Sequence, residues 1–190
     1  MIGNDIVDLK YIKETSNWKR PRFLDKVFTT KEQHLILSSE NQHQMVWLLW
    51  SMKEAAYKCH VQQYGRRFFN PKRLVCELIS EDKGQVNIDA IQYYTATIVT
   101  KDYVYTIAKQ TDDQPVETSI IETKAPKLAT QSVLLKRYAL ESIAEVKHLD
   151  LDMLEIRKTK IGAPEVYYAS QKTPIDLTLT HCGRFSSFAF

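Results

Sequence analysis

A chain of 190 residues, 44% hydrophobic and 26% charged, with a net charge of +3, has the composition of an ordinary soluble globular protein with one sizeable core or two small ones. The first ten residues already carry Asp5, Asp8 and Lys10, so no secretory signal is expected, and the most apolar run, Met45 to Met52, is far too short to span a bilayer. Cys59, Cys76 and Cys182 are widely spaced and form no CxxC pair, which fits a reducing cytoplasm and argues against a disulfide framework or a zinc site.

The opening segment, Ile2 to Leu9, reads as a short strand carrying acidic residues. Phe23, Leu24, Val27 and Phe28 recur at helical spacing, and Thr29-Thr30-Lys31-Glu32 has the form of a capping box that starts a new helix. The clearest helix spans about Gln44 to Tyr64, where Met45, Leu48, Leu49, Met52, Ala56 and Cys59 form one apolar stripe. Glu54 and Lys58 fall on the opposite side, yet Trp47, Trp50 and Val61 share it. That helix is therefore expected to be covered on two faces, with an acid and a lysine held among aromatics.

After Pro71 the pattern changes to strands, Leu74–Ile79, Tyr93–Thr100 and Tyr103–Ala108, with turns expected at Lys83-Gly84 and Lys101-Asp102. Residues 110–127 are polar, contain Pro115 and Pro126, and read as a linker or crossing segment. A second helix is predicted from about Gln131 to Lys147, with Leu135, Ala139, Ile143 and Val146 on one face. Strands follow at Leu154–Lys158, Val166–Ala169, Asp176–Thr180 and Ser186–Phe190. The order implies an α+β fold of two similar halves, each an antiparallel sheet packed on a long helix: residues 1–109 and 128–190, joined by 110–127.

Charge is unevenly spread. Lys10, Lys13, Lys19, Arg20, Arg22, Lys26 and Lys31 crowd one early stretch, and Arg66, Arg67, Lys72 and Arg73 form a second cluster. Either is a solvated surface or a face for anionic partners, and composition does not choose.

Two constellations can carry chemistry. Asp5 on a strand and Glu54 on a packed helix could supply the one or two carboxylates that Mg²⁺ takes from protein, with Lys58 one turn away for phosphates. Glu54 and Lys58 also make a plain i, i+4 pair, worth about 0.3–0.5 kcal/mol to a helix. The second is Thr178-Leu179-Thr180-His181, where a histidine at a strand end can bind phosphate or move a proton, or simply be exposed. No phosphate loop, GxSxG or dinucleotide fingerprint occurs.

Taken together these segments resemble the 4′-phosphopantetheinyl transferase superfamily, which includes holo-acyl-carrier-protein synthases and surfactin-synthetase-type enzymes. Gly3-Asn4-Asp5-Ile6 matches its first motif, and Trp50-Ser51-Met52-Lys53-Glu54-Ala55-Ala56-Tyr57-Lys58 its second. Arg22 to Thr29, followed by Glu32, is similar to the stretch between them. Gly162-Ala163-Pro164 stands for Gly-Lys-Pro, and Thr178-Leu179-Thr180-His181 for Ser-x-Ser-His.

The resemblance implies transfer of 4′-phosphopantetheine from coenzyme A to a serine of an apo acyl- or peptidyl-carrier protein. Asp5 and Glu54 would hold Mg²⁺, and Asp5, Glu54 and Lys58 would be catalytic. Lys58, Thr180, His181, Arg66 and Arg67 would bind coenzyme A, and Arg22 and Lys26 the acidic carrier. Both motif groups in a chain of two-half length point to a monomer with an intrachain site, the cysteine usage points to the cytoplasm, and neither a nucleic-acid nor a membrane partner is expected.

Ala163 replaces the usual lysine, leaving a phosphate contact to Lys158, Lys160 or Arg184. Val7 stands where surfactin-type enzymes carry a second acid, which implies fewer protein ligands for the metal, with neighbouring Asp8 as the candidate substitute. The order of motifs, with Thr-His last in a chain of two-half length, reads as a circular permutation and predicts that Met1 and Phe190 lie together on adjacent strands. The competing expectation is a non-catalytic module on this fold that binds coenzyme A or an acidic partner.

Overall fold

The computed structural model describes residues 1–123 and 128–190. Strand β1 (Ile2–Asp8) is buried along its whole length and ends where the Asp8 carboxylate accepts the Lys10 and Tyr11 N–H groups, capping α1 (Leu9–Thr15). Helix α2 (Phe23–Val27) leads into α3 (Thr30–Ser38). The Thr29–Glu32 capping box forms in both directions: the Glu32 N–H reaches Thr29 Oγ1 at 3.3 Å, and the Thr29 N–H reaches Glu32 Oε2 at 2.7 Å. Helix α4 (Gln42–Tyr64) starts at an Asn41 cap and stops at Gly65.

Strands β2 (Leu74–Leu78), β3 (Lys83–Ile88), β4 (Ile91–Val99) and β5 (Tyr103–Lys109) form an antiparallel meander, and β1 pairs with β5 to give the order β1-β5-β4-β3-β2. Leu74, Cys76, Val86, Ile88 and Tyr93 turn towards α4, whose Leu49, Met52, Ala55, Ala56 and Cys59 they bury. Phe23, Val27, Phe28 and Ile36 belong to the same core, with Trp47 packed against Phe23. Lys83-Gly84 is not a turn but the start of β3. A Cβ on Gly84 would lie 2.7 Å from the Glu77 carbonyl oxygen of β2, which cannot yield, and 2.6 Å from the more mobile Met52 Cε of α4, so only glycine fits between strand and helix.

The remaining chain forms β6 (Thr118–Glu122), α5 (Leu128–Lys147), β7 (Leu154–Lys158), β8 (Pro164–Tyr168), β9 (Gln171–Lys172), β10 (Thr178–Cys182) and β11 (Phe185–Ala189). They make two antiparallel three-stranded sheets, β10-β11-β6 and β7-β8-β9. Leu135, Ala139 and Ile143 of α5 are buried against Leu154, Val166, Leu177 and Phe188, while Val146 in its last turn stays exposed. The architecture is thus α+β, with a long helix laid on antiparallel strands twice over. Within the segment read as a linker, β6 pairs along its length with β11; only Ile120 and Ile121 signal it in a polar stretch. Residues 124–127, the end of that expected linker, lie outside the described residues.

The two assemblies meet at β1. Its Asn4 and Ile6 N–H groups point away from β5 and donate to the hydroxyls of Thr178 and Thr180, each at 3.3 Å, so side chains of β10 satisfy the free edge of β1. Ile6, Tyr105 and Phe185 form a small apolar cluster across this junction. The Met1 amino group pairs with Asp176 at 2.9 Å, and Thr178 lies opposite Ala189. Both chain ends therefore sit at the same end of β1, β10 and β11.

Candidate active site

The site begins with a missing side chain. A Cβ on Gly3 would lie 2.0 Å from the Ala55 carbonyl oxygen and 2.7 Å from the Cys59 nitrogen, so the backbone of α4 rests directly on β1 as glycine alone permits. Strand alternation puts Asp5 on the same face two residues later, against the side chains of α4. Asp5 Oδ1 accepts from Lys58 Nζ and from Thr180 Oγ1, both at 3.2 Å, and the Asp5 carbonyl accepts from Ser51 Oγ at 3.3 Å. Lys58 also donates to the Asn4 carbonyl at 2.7 Å, so it turns to β1 rather than closing an i, i+4 pair with Glu54.

The two acids feel each other. Burial pushes the Asp5 pKa up, with the Lys58 charge opposing. Burial and then the Asp5 charge lift Glu54 from 4.5 to about 7, with Lys58 again pulling down. A carboxyl with its pKa near neutrality, beside a lysine, is suited to taking a proton.

Glu54 and Tyr57 line two grooves at once. One, of about 330 Å³, is walled by Lys58, Gln62, Arg67, Gly162, Ala163 and Thr178. Arg67 lies across Gly162 and donates to the Ile161 carbonyl, whereas Arg66 is exposed and outside this wall. The other, of about 430 Å³, is lined by aromatic residues including Phe23, Trp50 and Phe68, and Lys26 reaches it while the exposed Arg22 does not. Thr180 is buried as the bridge between β1 and Asp5. His181 stands beside it at the surface; partial burial and the Lys58 charge lower its pKa, with Asp5 opposing.

Asp8 is not a substitute for the second acid. It faces away from α4, burial works against its charge, and the Arg184 side chain and backbone N–H hold its pKa below the usual carboxylate range. Arg184 Nε and Nη2 grip its two oxygens at 2.9 Å each, which also commits Arg184 to Asp8 rather than to the Ala163 groove. Val7, on the Asp5 face, is buried in the first apolar core. Among the described residues no group of three or more His, Cys, Asp or Glu side chains is arranged to hold a metal ion. Asp5 and Glu54 form a two-carboxylate set, a number that fits Mg²⁺ when water and phosphate oxygens complete its shell.

Sequence reasoning missed the support beneath Glu54. Lys53 Nζ is buried and bonds Glu32 Oε2 at 2.9 Å, the Pro71 carbonyl at 3.0 Å and the Leu74 carbonyl, while Glu32 Oε1 accepts the Cys76 N–H at 2.8 Å. This pair ties the start of α3, the middle of α4 and the chain entering β2 together. The capping box flagged Glu32, but nothing in spacing pointed to its buried partner.

A family model described as the 4′-phosphopantetheinyl transferase superfamily matches residues 1–108, which hold β1, α4, Asp5, Glu54 and Lys58. The chain belongs to that superfamily, and phosphopantetheinyl transfer is the general activity that membership indicates. Among solved structures it is similar to the Thermotoga maritima holo-[acyl-carrier-protein] synthase, at 11% identity and a TM-score of 0.42 over 90% of this chain and 83% of that one. No curated protein matches it by sequence. Among the described residues no helix is long and apolar enough to cross a membrane.

Proposed function

We propose that the chain transfers 4′-phosphopantetheine from coenzyme A to the serine of an acidic acyl- or peptidyl-carrier protein, in the manner of a holo-acyl-carrier-protein synthase. The observation that carries this reading is the meeting of Asp5, Glu54 and Lys58, from elements about fifty residues apart, with Asp5 buried behind Lys58, Lys58 lining one groove and Glu54 shared by both. Displacement at phosphorus places attacking and leaving oxygens roughly in line. Two grooves sharing Glu54 suit that requirement: the nucleotide end of coenzyme A in the Lys58–Arg67–Ala163 groove, the serine entering from the aromatic one.

Glu54, directly or through a water that it holds, takes the serine proton as the hydroxyl oxygen bonds to the phosphorus that carries pantetheine. The bond from that phosphorus to the bridging oxygen breaks, and adenosine 3′,5′-bisphosphate leaves with the electron pair. Asp5 and Glu54 are the residues that would hold Mg²⁺, which would supply Lewis acidity and charge neutralisation at the pyrophosphate. Lys58 stabilises the same phosphates, and Thr180 keeps Asp5 turned to them. Arg67, lying over Gly162 beside Ala163, supplies the cation that the missing lysine would have given, and His181 offers a further phosphate contact. General-base assistance typically contributes about 10²–10⁴-fold, so positioning and charge stabilisation carry the rest.

Both motif groups lie in one chain, which supports a monomer with an intrachain site; we propose that it works in the cytoplasm, on soluble partners rather than nucleic acid or membrane. Chain ends at the same end of adjacent strands are what a circular permutation of the two-half enzyme requires. The test is incubation with apo-carrier protein, coenzyme A and Mg²⁺, read by intact-protein mass spectrometry. The carrier should gain the mass of phosphopantetheine, and a wild-type enzyme that leaves every carrier class unmodified sinks the reading.

A further inference from the structure

Strand alternation sends Gly3 and Asp5 towards α4 and the side chain between them, Asn4, the other way, onto β10 and β11. Asn4 is fully buried there, where an amide costs free energy unless its polar atoms find partners. They do, in one orientation only. Asn4 Oδ1 accepts from Thr178 Oγ1 at 3.0 Å, while Nδ2 donates to the Tyr105 hydroxyl at 3.3 Å and to Ser187 Oγ at 3.4 Å. Thr118 Oγ1 donates to the Phe188 carbonyl and Ser187 Oγ to the Ser119 carbonyl, each at 2.7 Å. Tyr105 therefore gives its own hydrogen to Thr118, and both oxygens facing Nδ2 are left as acceptors. The asparagine inside the first motif is thus bonded to β5, β10 and β11, and through Tyr105 to β6.

The consequence lies on the strand edge. The Asn4 and Ile6 N–H groups are taken by the hydroxyls of Thr178 and Thr180, so β10 stands against β1 through side chains rather than through a backbone ladder. That spacing leaves the Asn4 carbonyl, between the two N–H groups, without a strand partner. Lys58 Nζ fills it at 2.7 Å, closer than its 3.2 Å contact with Asp5. Thr178 and Lys58 then line the same groove. We propose that Asn4 is the positioning residue for Lys58. Its amide, locked to Thr178, holds β10 off β1 at the distance that keeps a backbone carbonyl open for the lysine, and so aims the lysine's charge at phosphates in the groove. The inference rests on the transfer reading above and adds to it the residue that sets where the cation stands.

Two measurements separate positioning from packing. Lysine reactivity towards acetic anhydride is read by peptide mass spectrometry on the protein alone, and the coenzyme A dissociation constant by calorimetry with Mg²⁺ present. A hydrogen bond to a charged group is worth about 10-fold or more in an equilibrium. Asn4→Ala should therefore raise Lys58 labelling by about 10-fold, while Lys53, buried with Glu32, stays protected. It should weaken coenzyme A binding by about 10-fold, yet by less than about twofold when combined with Lys58→Met, because a residue that acts through the lysine has nothing left to act on. Thr178→Val unlocks the amide without opening a cavity and carries the same test should Asn4→Ala not fold; Thr178→Ser should recover most of the loss. Losses that multiply in the double variant, or labelling that rises at Lys53 as much as at Lys58, reduce Asn4 to packing and overturn the inference. So do coenzyme A binding and Lys58 labelling that stay at wild-type levels in these variants. Lys58 released by Asn4→Ala, in a protein whose wild type binds no coenzyme A, upholds the positioning role and refutes the transfer reading.

Discussion

Replacing Glu54 by glutamine should make the metal-free protein more stable while disabling it. The folded-state pKa of about 7 lies above the ordinary 4.5, so between those values the native chain keeps a proton that the unfolded chain has lost. Stability then falls as pH rises through this window and levels off above about 7. A shift of 7 − 4.5 = 2.5 units corresponds to about 3 kcal/mol at 1.36 kcal/mol per unit. Glu54 is only half-buried, and solvent screening brings the expectation to about 2–3 kcal/mol. Glutamine has no charge to desolvate and none to set against Asp5. Urea unfolding in EDTA should show Glu54→Gln equal to wild type near pH 4.5 and more stable by that amount at pH 8, with transfer down by about 10²–10⁴-fold. A variant no more stable than wild type at pH 8, or a difference that does not change with pH, would refute the electrostatic account of the site.

Gly3→Ala drives a methyl into the backbone of α4, which cannot yield without leaving β1; melting should fall by an amount equivalent to about 3 kcal/mol or more, and a near-native melting temperature would show that helix and strand are not in contact. Thr180→Val removes both the acceptor for the Ile6 N–H and the donor to Asp5, so it should cost about 1–3 kcal/mol and most of the transfer rate, whereas Thr180→Ser keeps both; equal kinetics for the two would remove Thr180 from the site. Arg184→Met strips the buried Asp8 of its partner, at an expected cost of about 2–3 kcal/mol at pH 7. Because the Asp8 pKa is held below 3.8, its contribution is present above that value and fades as pH falls through the folded-state pKa, so chemical denaturation of the two proteins should converge in acid.

Much of the fold was legible because it is local. The apolar period of α4, the Thr29–Glu32 box and the β-branched runs after Pro71 each fix short-range structure through the residues themselves. Gly84 misled for the opposite reason: its glycine answers to the Glu77 carbonyl of the paired strand and to Met52 on α4, thirty-two residues away, and nothing around it says so. Strand β6 was lost because a short, exposed strand paired along β11 needs only two isoleucines to hold it.

The amino-acid order alone determined which chemical groups were available: an acid after a glycine on β1, an acid and a lysine among aromatics on α4, hydroxyls and a histidine near the end. Tertiary structure decided how they are used. It gave Lys58 to Asp5 instead of Glu54, withdrew Asp8 and Arg184 into each other, and buried Val7 and Lys53. The physical reason is that charge and burial are properties of neighbours in space. A carboxyl moves from 4.5 to about 7 only when packing takes it out of water and a helix backbone, resting on one glycine, carries it next to another acid.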